Sequence, residues 1–212
     1  MKQEKLLNTP AIRRMPVYLN KLLKLQQEGK STVTSTELAK YVNIETIVVR
    51  KDLALTGVAG SPRLGYDVKK LLECIKKYLG WQDSIRAALI GAGSLGTALL
   101  GYDDFHSYGF HIESVFDSNA SKIGTIVRGQ EVYDIDKMDE VFGDNPPQIA
   151  IICVSNAAAQ TVVDKAISSG IKFIWNFANT DIEVPSGVVI QREVIAGGLA
   201  VLGVRMKQNI VK

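Results

Sequence analysis

Residues 88–100 read ALIGAGSLGTALL, an apolar run followed by glycines at Gly91, Gly93 and Gly96. Glycines at this spacing, between a strand and a helix, are typical of a dinucleotide-binding turn. Gly91 allows the tight turn, Gly93 lets the backbone approach a pyrophosphate, and Gly96 permits close packing of the helix on the strand. This stretch therefore predicts a dinucleotide-binding fold for the segment that surrounds it.

The predicted cofactor site extends from this turn to the end of the next strand. The turn residues that would face the pyrophosphate at the helix N-terminus are Gly91, Ala92, Gly93, Ser94, Leu95 and Gly96. Asp117 lies 21 residues after Gly96, where a carboxylate holds the ribose hydroxyls and repels a 2′-phosphate. The Asp117 carboxylate therefore favours NAD and NADH over NADP. Lys122 lies nearby, and its positive charge would act in the opposite direction. The alternative is a turn that keeps the fold and binds no nucleotide.

Strands and helices alternate regularly around this turn. Apolar runs predict strands at 85–91, 112–117, 149–154, 173–177 and 188–190, and helices are predicted at 94–102, 135–142 and 157–169. Such alternation is typical of an α/β, Rossmann-like, doubly wound parallel sheet. We assign residues 84–192 to this domain. Residues 193–212 are assigned to a C-terminal helix that leaves the sheet.

The first 80 residues differ from the rest in charge. They carry 15 Lys and Arg against 7 Asp and Glu, whereas residues 81–212 carry 10 against 15. A basic small domain beside an acidic one suggests binding to nucleic acid, and a solvated lysine-rich surface is the alternative. The first helix is expected from Thr9, as N-cap, to about Gln27, with a bend or restart at Pro16.

The next segment has the pattern of a helix-turn-helix followed by a wing. Thr34 and Glu37 form a capping box that opens a helix at 35–42, and a second helix is expected at about 45–55. On a helical wheel, Val49 and Leu53 face the core. The candidate DNA contacts on the outer side of this helix are Ile47, Arg50 and Lys51. Arg63, in the glycine-rich segment at 57–68, is the candidate contact from the wing. Residues 1–80 are thus predicted to be a winged-helix DNA-binding domain.

Other patterns exclude several classes of protein. No run of 18 apolar residues predicts a membrane span, and residues 1–16 lack the apolar stretch of a signal peptide, so we expect a cytoplasmic protein. Neither Cys74 nor Cys153 has metal-ligand spacing, and neither His106 nor His111 has a carboxylate close in sequence. Tyr-x-x-x-Lys spacings begin at Tyr66 and Tyr133, outside the context that a reductase uses. We therefore predict no catalytic residue and no metal, and an NAD-dependent oxidoreductase with a basic domain remains the alternative.

With these motifs in order, the chain resembles the Rex family, bacterial repressors that sense the balance of NADH and NAD⁺. The likeness covers nearly the whole chain through the strings RRMPVYL, VRKDLALTG, PRLGYDV, IGAGSLGTALLGY, VFDSNASKIG, AAAQ, SSGIKF, NFA and VPSGVVI. The resemblance implies a homodimer that binds a palindromic operator and releases it when NADH binds. It also implies a C-terminal helix exchanged between the subunits.

The resemblance further implies roles for individual residues. Tyr102 matches a tyrosine near the nicotinamide, and Arg14 matches an arginine that contacts the partner subunit in one redox state. Arg50, Lys51 and Arg63 match the DNA-contacting residues. The matching strings, together with the loop that leads into AAAQ, add these residues to the cofactor site: Ser118, Lys122, Val154, Ser155, Asn176 and Phe177.

Three positions depart from the family pattern. Val194 stands where the family has the aspartate partner of that arginine, and the adjacent Glu193 would be rotated by about 100° if both were helical. Ser155 and Asn179 stand where proline is usual. Dinucleotide binding is therefore predicted more firmly than discrimination between NADH and NAD⁺. A DNA-binding relative with a purely structural cofactor is a third possibility.

Overall fold

The computed structural model describes residues 7–210 of the chain. Their contacts form two compact units, one ending at Asp83 and one beginning at Ser84. Residues 1–6 of the predicted DNA-binding domain and residues 211–212 of the predicted C-terminal helix lie outside the described range.

The first unit is built from four helices and a two-stranded ribbon. Its elements are α1 (Thr9–Gln27), β1 (Thr32–Val33), α2 (Ser35–Val42), α3 (Thr46–Ala54), β2 (Tyr66–Asp67) and α4 (Val68–Leu79). Asn8 caps α1 instead of Thr9, because its side chain accepts a hydrogen bond from the Ala11 backbone N–H. Pro16 does not restart the helix, so that part of the sequence prediction was wrong.

The helix-turn-helix forms as its capping residues predict. Thr34 and Glu37 bond reciprocally at the start of α2, and Asn43 ends that helix in the left-handed conformation. Val49 and Leu53 of α3 are fully buried. They join an apolar core of residues from α1, α2 and α4, in particular Met15, Tyr18, Leu19, Leu22, Leu38, Leu71 and Ile75.

The wing is anchored by a strand pair whose first strand, β1, the sequence did not indicate. In β1 and β2, Thr32 lies opposite Asp67 and Val33 opposite Tyr66, in antiparallel register. Gly65 sits against the backbone of Val33 at φ +80°, where a side chain would overlap the Val33 carbonyl group. The ribbon therefore holds the base of the wing against the start of α2.

The second unit is a seven-stranded sheet with helices on both faces. Its strands are β3 (Ile85–Ile90), β4 (Phe110–Asp117), β5 (Ile126–Val127), β6 (Gln130–Asp134), β7 (Ile149–Ile152), β8 (Phe173–Asn176) and β9 (Val189–Arg192). Its helices are α5 (Ser94–Leu100), α6 (Asp104–Ser107), α7 (Met138–Phe142), α8 (Asn156–Ser168) and α9 (Ala196–Ile210), with a 3₁₀ turn at Ile135–Lys137. The strand order is β5-β6-β4-β3-β7-β8-β9, and every pair but β5–β6 is parallel.

Two apolar layers cover the two faces of this sheet. One layer joins Phe116 and Ile152 to side chains of α7 and α8. The other joins Leu89 and Ile151 to Leu99 and Leu100 of α5. The predicted doubly wound parallel sheet is thus confirmed.

The last helix begins later than the sequence indicated. α9 begins at Ala196, because β9 continues to Arg192 and the carbonyl group of Val194 accepts the Gly197 N–H. Glu193 and Val194 precede the helix, so the helical rotation expected between them does not apply. The large apolar side chains that α9 leaves exposed are Leu199, Val201, Leu202, Val204 and Met206. Among the described helices, none combines the length and the apolar character needed to span a membrane.

Candidate dinucleotide cleft and DNA-contacting face

The glycine turn joins β3 to α5 and packs closely on the neighbouring strand. Gly91 has φ +103°, and a Cβ there would overlap the Cys153 carbonyl group. A Cβ on Gly96 would overlap the carbonyl group of Gly91. Only glycine allows α5 to start this close to the sheet, which leaves the N–H groups of its first turn directed at the carboxyl edge of the strands.

A cleft of about 240 Å³ opens at this edge. Of the sequence-predicted cofactor residues, it brings together Gly91, Gly93, Asp117, Ser118, Lys122, Val154 and Ser155. Ala92, Ser94, Leu95 and Gly96 shape the turn without lining the cleft. Its remaining walls are mostly apolar and include Ile90, Ile135, Cys153, Ala158 and Val162, which the sequence reasoning missed. The cleft lies outside the carboxyl ends of parallel strands, where open α/β sheets bind their ligands.

Asp117 is held in place at the end of β4. Its Oδ2 accepts hydrogen bonds from the Ala92 backbone N–H at 2.9 Å and the Lys122 ammonium at 2.9 Å, and Oδ1 accepts the Asn119 N–H at 2.9 Å. Burial alone would raise the pKa of Asp117, but these hydrogen bonds outweigh it and hold the pKa below its ordinary value. The group is therefore a fixed carboxylate beside the turn at neutral pH.

Two predicted cofactor residues lie outside the lining of this cleft. Asn176 is buried at the end of β8, where its side chain bonds the backbone N–H and carbonyl groups of Ala178. Phe177 follows it and packs against Trp175 with tilted rings whose centroids are 4.8 Å apart. Asn176 thus shapes the turn after β8, and Phe177 belongs to an aromatic cluster on one face of the sheet.

Tyr102 belongs to the same aromatic region and lies at the opposite end of α5 from Gly93. Its ring packs on Phe105 at 4.9 Å, and Phe105 packs in turn on Trp175. The Tyr102 hydroxyl donates to Asp104 at 3.1 Å, and this hydrogen bond raises the pKa of the phenol. Within one chain, Tyr102 therefore does not line the cleft.

The loop that departs from the family pattern is ordered by side-chain amides. The Asn179 N–H donates to Oδ1 of Asn156 at 2.9 Å, and Oδ1 of Asn179 accepts from Arg192 at 2.8 Å. A proline at 179 could not donate the first of these bonds. Asn179 therefore holds the loop by a hydrogen bond that proline, the residue expected here from the resemblance, could not make.

The candidate DNA contacts are exposed on the first unit. Ile47, Arg50 and Lys51 all face solvent on α3. Arg63 lies in the wing with φ +67°, a left-handed conformation that is uncommon for a residue with a side chain. Arg50 and Arg63 both line a concavity of about 390 Å³ between the start of α2, α3 and the wing. The structure thus brings these two cations together, with Ile47 and Lys51 on the adjoining exposed face of α3.

A partly buried ion pair ties this helix to α1. Asp52 of α3 is 3% exposed and accepts two hydrogen bonds from Arg14, at 2.6 and 2.8 Å, and one from the Tyr18 hydroxyl at 2.7 Å. The bond to Asp52 raises the pKa of Arg14, and burial raises the pKa of Tyr18. The sequence reasoning missed Asp52. Its position three residues after the buried Val49 was the available signal, because that spacing places it on the inner face.

Two family models match the chain, one in the first unit and one almost entirely in the second. The one described as "Putative DNA-binding protein N-terminus" matches residues 8–54, and the one described as "CoA binding domain" matches residues 82–180. A domain that binds DNA joined to a nucleotide-binding fold defines the class: a transcriptional regulator controlled by a small molecule.

Relatives over nearly the full length define the family. The chain is 40% identical over 206 residues to a "Redox-sensing transcriptional repressor Rex" of Treponema denticola, covering 97% of this chain and 98% of that one. It is 38% identical to the protein of the same name from Carboxydothermus hydrogenoformans, over 93% and 95% of the two chains. The chain belongs to the Rex family of redox-sensing transcriptional repressors.

Solved structures agree with this assignment. The Rex-family repressor RSP, in a complex with NAD⁺ and operator DNA, superposes with a TM-score of 0.84 at 29% identity, over 98% and 96% of the chains. RSP bound to NADH superposes with a TM-score of 0.85 at 28% identity, over 98% of both chains. Because the relatives are named as repressors, the chain is a regulator and not the oxidoreductase of the alternative interpretation.

Proposed function

We propose that this chain is a homodimeric repressor whose operator affinity is set by the dinucleotide in its Asp117 cleft, NADH releasing the DNA. It acts in the cytoplasm, where a bacterial chromosome is accessible. The observation that carries the proposal is the combination, in one chain of the Rex family, of this cleft with the cationic concavity at Arg50 and Arg63.

The geometry of the cleft supports binding of NAD⁺ and NADH. The first turn of α5 offers N–H groups to the pyrophosphate, and the Asp117 carboxylate offers two oxygens to the adenosine ribose. Lys122 neutralises part of that carboxylate, since its ammonium lies 2.9 Å from Oδ2. Ribose hydroxyls therefore bind by sharing or displacing the Lys122 contact.

The cationic concavity supports binding of duplex DNA. Arg50 projects from α3, the recognition helix, and is within 3.2 Å of the Ser35 hydroxyl at the start of α2. Arg63 projects from the wing. These positions fit a complex in which α3 lies in the major groove of the DNA. Arg63 of the wing would then reach an adjacent groove or phosphate.

The exposed apolar surface of α9 supports the dimer. Leu199, Leu202 and Met206 each leave more than half of their side-chain surface exposed within one chain. Their spacing places them on one stripe of the helix. The aromatic cluster at Phe105, Trp175 and Phe177 offers an apolar surface to such a stripe, which we assign to α9 of the partner subunit.

Operator binding measured with NADH and NAD⁺ separately tests the proposal. The duplex is selected from a random-sequence library by the NAD⁺-loaded protein, and binding is followed by fluorescence anisotropy. We expect a palindromic duplex that NADH releases and NAD⁺ does not. Arg63→Ala should lose about 1–3 kcal/mol of operator affinity while still binding NADH.

The matched control is Lys137→Ala, which removes an exposed cation from the other unit and should leave operator affinity unchanged. Operator affinity that ignores NADH would refute the redox response. Arg63→Ala that binds like the parent would refute the assignment of the wing.

A further inference from the structure

His106 and His111 are the only two histidines of the chain, and they lie side by side. His106 is on α6 and His111 is near the start of β4, and their Nδ1 atoms are 3.3 Å apart. The two rings are tilted by 50° with centroids 5.3 Å apart. Both Nδ1 atoms therefore point at the same small volume next to the sheet, within the second unit.

This separation fits a metal chelate. An ion at about 2.05 Å from each nitrogen, the usual Zn–N distance, would subtend an angle of about 107° between them, close to the tetrahedral value. A separation of 3.3 Å is longer than most N–H hydrogen bonds. The distance therefore accommodates a shared ion as well as a long N–H···N hydrogen bond between the two rings.

The pair is positioned by its neighbours in addition to its own contact. One residue before each histidine, Phe105 and Phe110 pack together at 5.0 Å, and Phe105 also packs on Trp175. Gly109, at φ +76°, turns the chain between α6 and β4. Because this apolar contact already holds the two elements together, little ordering is needed when an ion binds.

We propose that His106 and His111 bind one borderline transition-metal ion per chain, Zn²⁺ being the ion we test, through their Nδ1 atoms, with water completing the coordination. No group of three or more His, Cys, Asp or Glu side chains within residues 7–210 is placed to hold a metal, so this is a two-ligand site. Such a site is open and exchangeable, unlike a structural zinc centre with four protein ligands. The bound ion joins α6 to β4 and fixes the segment that carries Tyr102.

Zinc titration of protein purified without a polyhistidine tag tests this site. Competition with a chromogenic chelator gives the affinity, and we expect one Zn²⁺ per chain. His106→Gln and His111→Gln should each weaken binding about tenfold or more, since either change turns a chelate into a single ligand. Cys74→Ser is the control for one of the two cysteine thiols and should bind like the parent.

A spectroscopic measurement identifies the ligand atoms. With only two histidines, imidazole nitrogen spectra contain two sets of ring signals. Zinc should shift both Nδ1 signals and leave both Nε2 atoms protonated. Amide hydrogen exchange between residues 104 and 109 should slow when zinc is added.

The proposal is overturned if both glutamine variants, shown to be folded by circular dichroism, bind zinc as the parent does. It is equally overturned if the parent binds none, or if binding is lost in Cys74→Ser. None of these measurements uses DNA or a dinucleotide, so their outcome is independent of the proposed function.

Discussion

Asp117 shows how a short-range pattern places a functional group. The spacing from Gly96 predicted its position at the end of a strand, and the structure puts it 2.9 Å from the N–H of Ala92 in the glycine turn. Lys122 is five residues away in sequence, but its ion pair with Asp117 depends on the turn at 118–122, which the sequence did not specify. Residues on one turn were therefore predictable, whereas the network among them was not.

Asp117→Ala should lose NADH affinity and narrow the preference for NADH over NADPH. Removing a charged acceptor costs about 1.5–3 kcal/mol, or roughly 10- to 150-fold in affinity. Lys122, freed from its ion pair, would then favour a 2′-phosphate. Calorimetry with both dinucleotides measures the change, and Asp139→Ala, an exposed carboxylate on α7, is the control. Equal affinity of the parent for NADH and NADPH would contradict this role of Asp117.

The elements themselves differ in how well the sequence specified them. α2 was predicted with its observed bounds because Thr34, Glu37 and Asn43 mark both of its ends chemically. β1, α6, β5 and β6 were missed. β5 is a two-residue strand. Its hairpin turn has positive φ angles at both Arg128 and Gly129, and an arginine does not predict such an angle. Short elements are held by tertiary contacts, which local patterns do not record.

The placement of α3 depends on its link to α1 through Asp52. Asp52→Asn should destabilise the first unit by about 2–3 kcal/mol, less than a fully buried pair would cost, since Arg14 keeps access to water. Operator affinity should fall further than unfolding alone explains, because the recognition helix loses its tether. Tyr18→Phe should cost about 1 kcal/mol.

Urea unfolding and operator anisotropy on the same samples separate these two effects. Glu28→Gln is the matched control, since its contact with Lys30 is 3.9 Å long and exposed. An Asp52→Asn protein with parental stability and operator affinity would show that the ion pair positions nothing.

At the scale of the whole molecule, the resemblance assigns Arg14, Tyr102 and Val194 to the redox switch, and the first two each have a carboxylate within their own chain. Arg14 bonds Asp52, and Tyr102 bonds Asp104. Val194 is exposed between β9 and α9 and offers no charge to a partner subunit. The coupling between dinucleotide binding and operator binding in this dimer is therefore expected to be weaker than in relatives with an aspartate at this position.

Val194→Asp should strengthen the response to NADH. A new charge-assisted bond to Arg14 of the partner subunit is worth up to about 3 kcal/mol, but it competes with Asp52, so we expect a gain of about tenfold. The measured quantity is the ratio of operator affinities with NAD⁺ and with NADH. Val194→Asn is the uncharged control. A parent that already switches over several orders of magnitude, with no change in the variant, would place the coupling elsewhere.

The ribbon of β1 and β2 has a consequence for the order of folding. These two-residue strands are separated by more than thirty residues, which include α2, α3 and the wing. The loss of chain entropy on closing a loop of that length costs about 3 kcal/mol. The hydrogen bonds of so short a ribbon do not offset this cost by themselves. We therefore expect the ribbon to form only after α2, α3 and α4 have assembled on α1. The wing and its Arg63 would then be the last part of the first unit to become ordered and the first to be released when that unit begins to unfold.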